Sequence, residues 1–75
     1  MKWVAEITYP KPRRFEITQE GLYNLQNHQV AVEFHLIAYE NGEGFDDSHQ
    51  DTLALAQEIA FEDFQVPLNA WKQIE

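Results

Sequence analysis

DDSHQDTLALAQEIAFEDF, residues 46–64, carries the clearest periodicity in the chain. At about 100° of rotation per residue, Ile59, Ala56, Ala60, Leu53, Phe64, Phe61 and Ala54 share one broad arc, and Asp51, Glu58 and Glu62 stack on the opposite side. The spacing predicts a helix over residues 46–64 with one face to bury and one anionic face. Ser48-His49-Gln50-Asp51 has the form of a capping box, and Asp46, Asp47 and Asp51 complement the positive end of the helix dipole. Pro67 pushes Val66 out of the α region and so ends this helix. It can then open a short second helix carrying Leu68, Trp71 and Ile74 along one side.

Upstream, the period changes from helix to strand. Residues 3–9 alternate, with Trp3, Ala5, Ile7 and Tyr9 on one side and Val4, Glu6 and Thr8 on the other. Pro10 and Pro12 stop this strand, and Phe15-Glu16-Ile17-Thr18 alternates again, which reads as a hairpin across the basic segment Pro10-Lys11-Pro12-Arg13-Arg14. In residues 18–27, Thr18 can cap one helical turn presenting Leu22 and Leu25, against a cost of roughly 1 kcal/mol for Gly21.

Residues 29–40 form the strongest strand. Val30, Val32, Phe34, Leu36 and Ala38 make a wholly apolar face, while Ala31, Glu33, His35, Ile37 and Tyr39 make a mixed one. This strand is expected at the sheet centre, with the first two strands beside it and the helix on its clean face. Asn41-Gly42 marks a sharp turn, after which Phe45 either begins a returning strand or plugs the core. The expected fold is α+β: a three-stranded antiparallel sheet, four-stranded if Phe45 opens a strand, with one long helix packed on one face and a short C-terminal helix. Residues 1–75 read as a single domain.

With 75 residues, the chain is near the size at which one core is only just sufficient. Its 44% apolar and 13% aromatic residues are those of a folded protein. Cysteine is absent, which excludes disulfides and thiolate chemistry and predicts a reducing, cytoplasmic setting. Trp3-Val4-Ala5 is too short an apolar run for a secretory leader, and no stretch approaches the ~20 apolar residues of a spanning helix.

Net charge is −8 and is distributed unevenly. Residues 1–14 carry a local +3, whereas residues 15–75 hold twelve acids against Lys72 alone. Such a surface repels phosphate backbones and anionic membranes, so neither direct nucleic-acid binding nor membrane binding is expected. The loose helix-turn-helix spacing of Ala56, Ala60, Phe61, Val66 and Trp71 is accordingly set aside, because its second helix offers one Lys and no Arg.

Motifs for catalysis are missing: the sequence has no nucleophile elbow, phosphate loop or dinucleotide turn. Ser48, His49 and Asp47 are sequence neighbours that point in different directions and so make no triad. Glu40, Asn41, Glu43, Asp46, Asp47, His49 and Asp51 form a dense polar cluster, but Gly42, Gly44 and Phe45 occupy positions that a calcium loop assigns otherwise. The three histidines match no metal signature, and His35 beside Glu33 reads as a boundary residue. No catalytic residue, metal or cofactor is therefore expected.

The acidic stripe is the remaining feature with discriminating power. Glu58 and Glu62 are a repulsive i, i+4 pair that no cation in the helix relieves, and Leu55 lies at the edge of the stripe. The expected function is a noncatalytic protein-interaction module, a regulatory or accessory subunit that docks a basic protein surface through Asp51, Leu55, Glu58, Glu62 and Asp63. The alternative is a nucleic-acid-mimicking inhibitor of a phage- or defence-related kind, and a weaker one is a metal-binding or enzymatic domain centred on residues 40–51. The oppositely charged basic segment also permits a homodimer.

Overall fold

A computed structural model of the chain describes residues 1–24, 26 and 29–75, with the backbone alone at residues 22–24, 29 and 30. Five strands form one antiparallel sheet: β1 (Lys2–Ile7), β2 (Arg13–Asn24), β3 (Gln29–Glu40), β4 (Glu43–Gln50) and β5 (Lys72–Gln73). Their spatial order is β4-β3-β2-β1-β5. The helix α1 (Leu53–Phe64) crosses one face, against β2, β3 and β4. The α+β class, the antiparallel sheet and the single helix-covered face agree with expectation. The strand count, the central strand and the helix start do not.

The basic segment does connect a hairpin, with β1 and β2 paired from Lys2↔Thr18 to Ile7↔Arg13. β1 stops at Ile7 rather than Tyr9, because Pro10 and Pro12 supply no ladder donor. β2 then continues to Asn24, paired with β3 throughout. The helical turn expected over residues 18–27 is thus strand as far as Asn24, and residues 25, 27 and 28 lie outside the described residues. β3 pairs with β2 along its whole length, and this outweighs a helical signal already weakened by Gly21. The central position falls to β2 in consequence.

The largest departure follows Glu40. Asn41 and Gly42 both take left-handed backbone angles, φ 54 and 79, the geometry of a tight two-residue return. The chain therefore comes back along β3 as β4, and residues 46–50 are strand where a helix was expected. The helix begins only at Leu53. Its cap is Thr52, whose Oγ1 accepts from the Leu55 N–H at 3.1 Å, so the Ser48 capping box does not form. Asp46 and Asp47 sit on an edge strand, where charges deter pairing with another chain.

β4 contains one bulge. Tyr39 pairs with Gly44 but Ala38 with Asp46, so Phe45 is an extra residue. The side chain of Phe45 packs edge-on against Phe64, with ring centroids 5.8 Å apart. Beyond the bulge, Asp47 and His49 share a face with Ile37 and His35, while Asp46 and Ser48 share the opposite face with Ala38 and Leu36.

The core lies between helix and sheet: Trp3, Ala5, Phe15, Ile17, Leu36 and Ala38 from the strands, Ala56 and Ala60 from the helix, and Val66 just beyond it. Ala56 and Ala60, one turn apart, let the helix approach closely. Leu53, Ile59, Phe64, Phe34 and Trp71 pack around them. Val32, on the same strand face as Leu36, is exposed. Phe61 and Ala54, expected in the buried arc, are also exposed, because only a narrow stripe centred on Ala56 and Ala60 meets the sheet.

Gln65 ends the helix in the left-handed region, φ 58. Its N–H reaches the Phe61 carbonyl at 3.0 Å, and the Val66 N–H reaches that of Ala60 at 3.2 Å, which aims Val66 into the core. Arg13 adds a cation there, donating from Nη1 to the Phe64 carbonyl at 3.3 Å. The short second helix expected after Pro67 is a single 3₁₀ turn at Leu68–Ala70, stopping short of Trp71 and Ile74, and it leads to β5, which pairs with β1. No helix among the described residues is long and apolar enough to cross a membrane.

Candidate functional site

The five residues expected to bind a partner do not all converge. Leu55, Glu58 and Glu62 share the solvent face of α1, with Leu55 42% exposed. Phe61, 52% exposed, joins them and was missed because the buried arc was drawn too wide. Asp51 precedes the Thr52 cap and so lies off the helix. Asp63 faces the β4 side, beside Asp46, Ser48 and Ile59.

None of these acids has an ion pair among the described residues, and four of the chain's five Lys and Arg side chains are engaged elsewhere. Lys11 meets Glu40 at 2.6 Å, and Lys2 meets Glu16 at 3.1 Å. Arg14 bridges Glu6 at 2.8 Å and Glu16 at 2.7 Å, and Arg13 caps the helix. The basic segment that could have met a second copy is largely committed within its own molecule.

The sheet face away from the helix carries a polar lattice. Lys2, Glu16, Arg14 and Glu6 form a chain of ion pairs across β1 and β2. Burial alone would push the Glu16 carboxyl up, but hydrogen bonds from Arg14 and Lys2 prevail and hold it below its ordinary value. Arg14 is raised in turn, chiefly by its hydrogen bond to Glu16. An open groove of about 550 Å³ lies at this end, lined by Ile7, Pro12, Arg14 and Tyr39 among others. Its charged walls, Glu6, Arg14 and Glu16, already satisfy one another.

A second polar group occupies the middle of the same face. His35 on β3 lies directly across from His49 on β4, their rings stacked at 4.0 Å and 11°. His35 Nε2 is 2.9 Å from Asp47 Oδ2, and Nδ1 is 3.3 Å from Glu20 Oε1 on β2. His35 is half-buried on the same strand face as Glu33, as expected, and is in addition held between two carboxylates. One ligand atom each from Glu20, His35 and His49 lie within 4.8 Å of one another. Spacings of fourteen and fifteen residues gave no sign of this group, which only the strand register assembles.

The acidic loop expected as a weak metal candidate is dispersed by that same register. Asp46 and Asp47 point to opposite faces of β4, so the carboxylates of residues 40–51 do not converge. Ser48 likewise turns its hydroxyl inward, where it is buried without a hydrogen-bond partner, away from Asp47 and His49.

No family model matches the chain, and neither the curated proteins nor the solved structures contain a significant match to it.

Proposed function

We propose that the chain is a noncatalytic protein-interaction module that docks a basic, partly apolar protein surface on the outer face of α1. One observation carries this reading: Leu55 and Phe61 stand exposed beside Glu58 and Glu62, which have no cation partner among the described residues. Exposed apolar side chains rimmed by like charges suit an anchor surrounded by steering groups. The charges bring a basic partner in, and Leu55 and Phe61 supply the area that it desolvates. Asp51 and Asp63, off the central face, act as a rim and contribute to encounter rate more than to affinity.

The test pairs capture from cell extract with direct binding of the captured protein. Leu55→Asp is expected to abolish binding with the circular dichroism spectrum unchanged. Glu58→Gln with Glu62→Gln should slow association and leave the melting temperature equal or slightly higher, since a repulsion of a few tenths of a kcal/mol is relieved. A partner that tolerates Leu55→Asp but is displaced by duplex DNA and lost steeply with salt would replace this reading with a nucleic-acid mimic. A partner indifferent to all of these changes would overturn both.

A further inference from the structure

We infer that Glu20, His35 and His49 bind a divalent transition-metal ion of the zinc type, with Asp47 as the carboxylate that orients His35. The reasoning starts from the protons. A neutral imidazole carries one N–H, and here both ring nitrogens of His35 face carboxylate oxygens, at 2.9 Å and 3.3 Å. If Nε2–H donates to Asp47, the Nδ1 lone pair confronts Glu20 Oε1, a contact that calls for positive charge between them. A second ring proton or a metal ion supplies it, and the metal is favoured because a ligand atom of His49 also lies within 4.8 Å of the other two.

The distances suit that ion. Zinc bonds of about 2.0–2.1 Å in tetrahedral array separate neighbouring ligand atoms by about 3.3 Å. Nδ1 of His35 and Oε1 of Glu20 already stand 3.3 Å apart. Asp47 on the other nitrogen completes a carboxylate–histidine–metal arrangement, which fixes the tautomer and raises ligand basicity. His49 must turn, because lone pairs lie in the ring planes and two nearly parallel rings cannot both aim at one ion. It is the exposed member of the pair, and with all the ligand atoms inside 4.8 Å a side-chain rotation is sufficient. Two imidazoles and a carboxylate favour zinc, copper or nickel over calcium and magnesium, which take oxygen ligands.

The register adds two supports. Glu33 lies directly across from Glu20, and opposed carboxylates on one sheet face repel unless a cation joins them. The bulge at Phe45 is what brings His49 to this face: were Phe45 paired in the ladder instead of bulged, the register set by the Asn41-Gly42 turn would put Ser48 opposite His35 and turn Asp47 and His49 toward the helix.

The experiment is calorimetric titration of the intact chain with Zn²⁺, alongside the absorption spectrum of the Co²⁺-loaded protein. One ion per chain is expected at micromolar or tighter affinity, with visible Co²⁺ bands of tetrahedral intensity. Glu20→Gln and His49→Ala should each weaken binding at least tenfold, and Asp47→Asn should weaken it about 10- to 100-fold. His28→Ala is the control and should change nothing. Binding at millimolar levels only, octahedral Co²⁺ bands, or binding that survives His49→Ala or depends on His28 would overturn the assignment.

Discussion

The two faces of the sheet solve the same problem by different means. Toward the helix, the buried residues are all apolar: Phe15, Ile17, Leu36 and Val66 are fully enclosed, and the buried set contains no charged or polar residue among the described residues. Toward the opposite side no helix lies among the described residues, and the strands present ion pairs and imidazoles beside Val4, Ile37 and Tyr39. The first face is stabilised by removing area from water. On the second, the charges of neighbouring strands neutralise one another. The covered face should therefore respond to lost volume and the open face to pH.

Phe15→Ala tests the covered side most severely. It removes a fully buried ring that packs on Phe64 at 5.4 Å, and should cost about 3–5 kcal/mol, read as a lowered midpoint in chemical denaturation. Unchanged stability would mean that the helix does not seal that face.

Glu16→Gln probes the open side and should cost about 1–2 kcal/mol at neutral pH, because two charge-assisted hydrogen bonds are weakened. The pH dependence has a definite sign. The Glu16 carboxyl is lower in the folded chain than its ordinary 4.5, so its contribution is complete above that value and fades as pH falls through the folded one. The stability gap between the wild-type chain and the variant should narrow below about pH 4.5, and a gap constant down to pH 3 would show that Glu16 is not held by its cations.

The smallest effect concerns the helix exit on the covered side. Gln65 holds a left-handed angle that glycine takes without strain, so Gln65→Gly should raise stability by up to about 1 kcal/mol, measured as a higher melting temperature.

The periodic elements were legible in the sequence, and the unpatterned ones were not. Ala56, Ala60, Leu53 and Ile59 announce α1, the alternation of Trp3, Ala5 and Ile7 announces β1, and Asn41-Gly42 announces its turn. β4 could not be read, because Phe45 is its only large apolar residue and an exposed edge strand needs no alternating pattern; its partner β3 specifies it. The acids there then passed for helix-capping residues. Leu55, Glu58 and Glu62 were found because helical spacing groups them locally. The histidine–carboxylate group escaped for the converse reason: its members come from three strands, and one bulge decides whether they meet. Had residues 43–50 been read as a strand with one extra residue after the turn, His35 and His49 would have been placed together.

The way β5 closes the sheet has a mechanical corollary. The Ile74 N–H is bonded to the Lys2 carbonyl at 2.8 Å and the Lys2 N–H to that of Glu75 at 3.0 Å, so residues 1 and 75 leave the molecule side by side. Tension between them would load those bonds one after another, like the teeth of a zip, rather than shearing a whole ladder at once. The molecule should peel open from this corner under small forces, even though its interior strands resist heat and denaturant together.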